Sequence, residues 1–198
     1  MPHRPAPRRA RRVRKLGAAL IATGVLAALV PAAGIGYAAH LENHDSFCAS
    51  CHTQPESRYY DLTQAPAVDL ASSHAAAHVT CIQCHSGAGV TGRLSAMALV
   101  ALPDLVAFQR GHYRAPAVVT RPLGDDHCLK CHADVTHRQD FNNHFHVFLA
   151  TWQARDPGGA ATCEDCHVSH VAGGDPRMGY LVEATAVQVC QRCHAFAS

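Results

Sequence analysis

The stretch Phe47-Cys-Ala-Ser-Cys-His52 decides how the rest of the chain is interpreted, because its Cys-x-x-Cys-His pattern occurs five times and uses every cysteine of the protein. Residues at i, i+3 and i+4 share one helical face. Two thiols can therefore bond one porphyrin edge while the adjacent imidazole reaches the iron. We number the motifs 1 to 5 by their first cysteine: Cys48, Cys81, Cys128, Cys163 and Cys190.

Covalent attachment of five haem c groups is the chemistry this pattern predicts. A zinc site pairs one Cys-x-x-Cys with a second pair, and five is an odd number of pairs. Neither zinc nor a disulfide framework explains a histidine after every second cysteine. The predicted thioether positions are the motif cysteines Cys48, Cys51, Cys81, Cys84, Cys128, Cys131, Cys163, Cys166, Cys190 and Cys193; the predicted proximal iron ligands are His52, His85, His132, His167 and His194.

Composition predicts a poor conventional core. The 198 residues include 12 aromatic side chains, against 14 Gly and 11 Pro. We expect a mainly α fold with much irregular loop, in which stacked haems form the core of the domain.

The N-terminus predicts a membrane anchor. Residues 1–15 carry seven Lys and Arg, and residues 16–39 carry no charge, which is long enough for a spanning helix. The basic flank places residues 1–15 in the cytoplasm as a tail, 16–39 as the anchor, and 40–198 outside as the haem domain. A cleavable signal peptide is the alternative, with a small-x-small site at 36–38, but the apolar run is long for one.

The net charge of +2 depends on that tail, because the remainder has 10 basic and 15 acidic residues. The acidic balance of this remainder excludes nucleic acid as the expected partner and favours a partner protein with a basic surface. Only eight residues separate Ala39 from Cys48, so the first haem is expected near the membrane surface. A second apolar stretch, Leu94 to Phe108, is either a helix at the membrane interface or one packed on haem.

Eleven further histidines exceed what surface composition explains, and bis-His ligation of most haems follows. The candidates for distal ligands are His170, three residues after a proximal His; His144 and His146, on opposite sides of a predicted helix; and His74 or His78, on one helical face. His112, His127 and His137 are weaker candidates, and Met97 is expected to pack as an apolar side chain.

The arrangement resembles the NapC/NirT/NrfH family of membrane-anchored multihaem cytochromes over residues 16–170. The resemblance lies in the first motif directly after the anchor, the long gap before motif 3, Asn143-His-Phe-His146, and Cys163-Glu-Asp-Cys-His-Val-Ser-His170. It implies electron transfer from menaquinol or ubiquinol to a periplasmic reductase or another cytochrome, with Asp104 as the matching candidate for a proton acceptor at the quinol site. Asp104 follows a proline, so a helix-start role is the alternative.

Two departures accompany this resemblance. The family core has four haems, and a fifth motif is appended here. Residues 53–56 contain no methionine that could be an axial ligand after motif 1. The chain also resembles the pentahaem subunit of alternative complex III, which implies a relay within a larger integral-membrane assembly. A nitrite or hydroxylamine reductase is the third hypothesis. The chain is primarily expected to transfer electrons, and its enzymatic activity, if it has one, is quinol oxidation.

Overall fold

The structure is a computed structural model that describes residues 8–51, 53–119 and 122–194. It is mainly helical, which confirms the predicted fold class, and the described residues contain no strand beyond an isolated bridge between Asp175 and Leu181. The α-helices are α1 (Arg8–Leu41), α2 (Asp45–Cys51), α3 (Glu56–Thr63), α4 (Leu70–Ala76), α5 (Cys81–His85), α6 (Gly89–Ala96), α7 (Leu102–Gln109), α8 (Asp126–His132), α9 (His144–Arg155), α10 (Cys163–Cys166) and α11 (Glu183–Cys190).

Short 3-10 turns join several helices, at Ala133–Thr136, Phe141–Asn143 and Pro176–Met178. The 3-10 turn Phe141–Asn143 directly precedes α9, which is the predicted helix that carries His144 and His146. The helix α11 begins at Glu183, three residues after Tyr180. Tyr180 has a φ of 56° and the preceding Gly179 a φ of 64°, so neither residue is in a right-handed helical conformation.

The chain forms two compact units, one ending at Asn43 and the other beginning at His44. The first contains α1, whose segment Arg11–Leu41 includes an 18-residue window with a mean hydropathy of 2.1 and is long enough to cross a membrane. Pro31 lies inside this helix. The helix continues two residues past Ala39, where the predicted anchor ended, because Ala39 to Leu41 contain no helix-breaking residue.

A second apolar helix lies in the second unit. α6, a π-helical turn at Met97–Ala101 and α7 form one continuous helix of 21 residues from Gly89 to Gln109, with none of its apolar window buried. It is longer than the 15-residue apolar stretch because the backbone stays helical through Arg93. The π turn precedes Pro103, whose ring and missing N–H disrupt the ordinary helical ladder.

The apolar core of the described residues is small. Its buried side chains are Leu149, Ala161, Tyr180, Ala186 and Val189. Several buried residues are polar instead, including Asp69, Ser72 and Asn143. A domain of this size that buries so little apolar protein surface fits a fold whose interior is completed by cofactors.

Candidate haem-binding site

Four of the five motifs begin on a helical turn, with their first cysteines in α2, α5, α8 and α10. Motif 5 differs because Cys190 is the last residue of α11. The turn Gln191–Cys193 follows, and the backbone N–H of His194 donates to the carbonyl of Cys190 at 2.9 Å. In motifs 2 to 5, whose histidines the structure describes, both arrangements place the two thiols and the imidazole on one side of the chain.

Consecutive motifs contact one another along the whole series. The N–H of Cys81 donates to Asp45 Oδ1 at 2.8 Å, which joins motif 2 to the helix of motif 1. Motif 3 meets motif 2 where His127 Nδ1 lies 2.6 Å from the carbonyl oxygen of Cys84. Lys130 Nζ also donates to the carbonyl of Ser86 at 2.8 Å.

The same order continues to the C-terminal motifs. The N–H of Cys163 donates to Asp125 Oδ1 at 2.7 Å, which joins motif 4 to the start of the helix of motif 3. The N–H of Val182 donates to the carbonyl of Cys166 at 3.0 Å and brings α11, with motif 5 at its end, beside motif 4. Motifs 1 to 5 are therefore neighbours in space in the order in which they occur along the chain.

Burial and neighbouring groups shift the pKa of several motif thiols. Burial, followed by the nearby charge of Asp45, raises the pKa of Cys81 to about 12. A hydrogen bond between thiols raises the pKa of Cys163 and lowers that of its partner Cys128. Burial also raises the pKa of Cys84 and of Cys166.

Every proximal histidine within the described residues faces a second histidine. The ring centroids are 6.4 Å apart for His85 and His170, 6.0 Å for His132 and His74, 6.1 Å for His167 and His146, and 6.4 Å for His194 and His144. The fifth predicted proximal ligand, His52, lies outside the described residues.

These separations fit one metal between the two rings of each pair. An imidazole nitrogen binds a metal ion such as zinc at about 2.0–2.1 Å, and the ring centre lies about 1 Å beyond that nitrogen, so two imidazoles on opposite sides of one iron have centres about 6 Å apart. In the two nearly parallel pairs, rings that only packed face to face would lie closer, as Tyr59 does on His170 at 4.0 Å. The four pairs therefore fit the axial positions of haem.

Hydrogen bonds set the tautomers needed for ligation in three of these rings. Nδ1 lies 2.9 Å from the carbonyl of Leu70 in His74, from Asn143 Oδ1 in His146, and from the carbonyl of Gly179 in His167. A ring that donates its Nδ1–H in this way leaves the lone pair of Nε2 available to a metal. The chemistry of the donor set thus agrees with the spacing of the rings.

Burial favours the neutral imidazole in two distal candidates. Burial lowers the pKa of His146, and the charges of His167 and Arg138 lower it further. Burial also lowers the pKa of His170, although nearby carboxylates oppose the shift. A neutral ring is the form that binds iron.

The helix carrying His74 is held by a buried polar cluster. Asp69 caps α4 by accepting the N–H and Oγ of Ser72, at 2.7 and 2.5 Å. The N–H of Ala71 donates at 2.9 Å to the carbonyl of Ser169. The segments that carry His74 and His170 are therefore hydrogen-bonded to each other.

The remaining candidates lie elsewhere. His78 is exposed beyond the end of α4, with a φ of 62°, and belongs to none of the four pairs. His112 and His137 are also exposed, and Met97 lies in the π turn. Asp104 is exposed in the first turn of α7.

The sequence analysis did not identify Tyr59, Asp45 and Asp125 as residues of the site. Only the two aspartates had a signal in the sequence, since each stands three residues before the first cysteine of a motif.

Comparison with known families supplies the remaining finding: the pattern of the NapC/NirT cytochrome c family, N-terminal region, matches residues 10–117, more than half of the chain. The chain belongs to this family. As a NapC/NirT protein it is a membrane-anchored multihaem c-type cytochrome that carries covalently bound haem c and functions in electron transfer. No curated protein and no solved structure matched the chain.

Proposed function

We propose that this NapC/NirT protein is a five-haem conduit that takes electrons from menaquinol or ubiquinol and delivers them to a redox partner outside the cytoplasmic membrane. The observation that carries the proposal is the unbroken series of contacts between consecutive motifs, from Asp45–Cys81 to Cys166–Val182. Such a series suits a relay better than a single reaction centre, because each attachment site has a neighbour on its route to the next.

The histidine pairs supply the proposed ligands. In each pair the motif histidine is proximal, and the distal ligands are His170 for motif 2, His74 for motif 3, His146 for motif 4 and His144 for motif 5. When bound, haem with two imidazole ligands supplies one-electron redox chemistry without an open position on iron. The chain favours the neutral form of His146 and His170 by burial, and it orients His74, His146 and His167 by hydrogen bonds to Nδ1.

Quinol oxidation also requires a proton acceptor near the first haem, since two protons leave with two electrons. Asp104 is the proposed acceptor. Supporting this, it lies on the helix from Gly89 to Gln109, whose apolar side chains Leu99, Leu102 and Leu105 are exposed and suited to a membrane surface where quinol is dissolved. The short tether between the anchor and Cys48 supports a position for motif 1 close to that surface.

The proposed orientation places the basic N-terminus in the cytoplasm and the haem domain on the periplasmic side. Electrons would leave at motif 4 or 5, the end of the series farthest along the chain from the anchor. The acidic balance of residues 16–198 favours an exit partner with a basic surface, such as a periplasmic reductase or another cytochrome.

The relay within a larger integral-membrane complex stays the alternative. The fifth motif, appended to the four-haem core that the family resemblance implies, favours it. A nitrite or hydroxylamine reductase needs an iron with an open face. A second histidine opposite each described proximal histidine argues against that chemistry at motifs 2 to 5.

The test is to mix the detergent-purified full chain with a menaquinol analogue and follow haem reduction optically. Fast, inhibitor-sensitive reduction is expected, and Asp104→Asn should slow it about tenfold or more, as expected for loss of a general base. Asp61→Asn, an equally exposed carboxylate on α3, is the matched control. Reduction by quinol only after addition of membrane partners would instead establish the relay subunit.

A further inference from the structure

The planes of the paired imidazoles fall into two groups. His85 and His170 are 19° apart in plane, and His167 and His146 are 13° apart, so both pairs are nearly parallel. His132 and His74 are 86° apart, and His194 and His144 are 85° apart, so both are nearly perpendicular. Along the series of motifs the two arrangements alternate from 2 to 5.

Local contacts account for individual ring orientations. Tyr59 stacks on His170 with an interplanar angle of 11°. His146 is oriented by Asn143, whose side-chain amide is itself fixed by donating to the carbonyls of Val135 and Arg138 at 2.6 Å each. One ring in each nearly parallel pair is therefore oriented by the packing of the protein.

His74 illustrates the other group. Its Nδ1 bonds the carbonyl of Leu70 one turn earlier in α4, which ties the ring to the axis of its own helix. That helix is held by the Asp69 cap and by the bond from Ala71 to Ser169. The ring of His74 thus follows the direction of α4, and it meets His132 edge to face.

These angles have an electronic consequence in ferric low-spin haem. Each axial imidazole interacts with one of two iron d orbitals that also overlap the porphyrin π system. Parallel rings interact with the same d orbital, so the energies of the two d orbitals differ strongly. Perpendicular rings interact with different d orbitals, so the two d orbitals stay nearly equal in energy. A nearly equal pair retains more orbital angular momentum, and the g values become far more anisotropic.

We propose that the haems of motifs 2 and 4 form one spectroscopic class, with rhombic low-spin signals, and that the haems of motifs 3 and 5 form a second class, with highly anisotropic low-spin signals. The proposal rests on the ligand pairs of the proposed function and adds their geometry. It also assigns the ligands of motif 5, His194 and His144, beyond the residues that the family pattern covers.

Electron paramagnetic resonance of the oxidised, detergent-purified full chain tests this. Compared with the wild type, His170→Met should lose a rhombic signal of one spin, and His144→Met should lose a highly anisotropic signal of one spin. In each variant the signal of the substituted haem appears in place of the lost one. An exchange of the two lost signals would overturn the assignment, as would the loss of two signals of the same class.

The wild-type spectrum decides the matter if a variant fails to fold. At least two spins of each class are then expected in the integrated spectrum, and fewer than two in either class contradicts the proposal. High-spin iron in three or more haems of the wild type would instead refute the ligand pairs themselves. Both readings are independent of quinol, so a failure of quinol oxidation is distinguishable from a failure of this inference.

Asn143 provides a test of positioning. Asn143→Leu removes the acceptor for His146 and should change the rhombic signal of the motif 4 haem. Asn142→Leu, at the exposed neighbouring position, is the matched control. An unchanged rhombic signal in folded Asn143→Leu would show that Asn143 does not set the ring plane.

Discussion

Two parts of the haem domain are built alike and held differently. We call residues 45–85, with motifs 1 and 2, the first module, and residues 125–167, with motifs 3 and 4, the second. In each, an aspartate three residues before the first cysteine accepts the N–H of the first cysteine of the next motif: Asp45 from Cys81 and Asp125 from Cys163. A threonine precedes the second motif in both.

The modules differ in how their aspartates are used. Asp45 accepts the N–H of Cys81 through Oδ1. Asp125 accepts the N–H of Cys163 through Oδ1 and the amide of Gln153 through Oδ2, at 2.5 Å, and Gln153 also donates to the carbonyl of Ala161. The second module is therefore tied into α9, the helix that carries His144 and His146.

The proposed ligand pairs also connect the two modules. His74 of the first module faces His132 of the second, while His170, three residues past the second module, faces His85 of the first. The hydrogen bond from Ala71 to Ser169 joins the segments that carry His74 and His170. We infer that neither module completes its haem ligation alone, which would make folding of the domain cooperative.

The largest effect is expected from breaking this connection. His74→Ala removes the proposed distal ligand of motif 3, so one haem per chain should become high-spin and bind carbon monoxide when reduced. His78→Ala, four residues later, should leave the haems of motifs 2 to 5 low-spin, because His78 faces none of the motif histidines that the structure describes. Carbon monoxide titration of the reduced full chain measures both. Binding in the His78 variant alone would reverse the assignment.

A smaller effect separates the two aspartates. In Asp125→Asn only one of the two oxygens remains an acceptor, so either Cys163 or Gln153 faces an amide donor. We expect a local cost of about 2 kcal/mol and about 30-fold faster deuterium exchange around Cys163. In Asp45→Asn the remaining amide oxygen can still accept the N–H of Cys81. We therefore expect this variant to lose less than about 1 kcal/mol of local stability around Cys81.

Exchange measured by mass spectrometry on the full chain provides this comparison. Asp126→Asn is the control for Asp125→Asn, because Asp126 is the next residue along the chain and its side chain is 71 % exposed. Equal exchange rates in the Asp45 and Asp125 variants would mean that the contact with Gln153 adds nothing to the second module.

The smallest effect concerns the helix starts of motifs 2 and 4. Gln83 Oε1 and Asp165 Oδ2 each accept a backbone N–H, of Thr80 and Thr162 respectively, at 2.7 Å. Asp165 carries a negative charge at a helix N-terminus, so Asp165→Ala should cost about 1 kcal/mol and Gln83→Ala about half of that. Chemical denaturation of the full chain in detergent measures the two; a larger loss in the Gln83 variant would contradict the ranking.

Part of the site could be predicted from the sequence because it is encoded locally. The motifs name their own cysteines and proximal histidines, and the two-residue spacing of His144 and His146 correctly indicated two different sides of α9. The recurrence of aspartate three residues before Cys48 and Cys128 was also present in the sequence, although its meaning depends on a contact 36 or 38 residues away.

Distal pairing could not be predicted in this way. His170 is close in sequence to His167, yet it faces His85, because the loop after motif 4 crosses to α4. Likewise, helical spacing made His74 and His78 equivalent, and only the end of α4 before His78 separates them. The stacking of Tyr59 on His170 had no sequence signal.

The sequence by itself determined the attachment chemistry, the anchor and the family, because these depend on residue types within a few positions or on a run of apolar side chains. Only the tertiary structure decided which histidines meet and at what angle. That decision depends on hydrogen bonds between segments distant in the chain, such as Ala71 to Ser169, and on the direction of each helix that carries a ring. Neither quantity is a property of a local stretch of sequence.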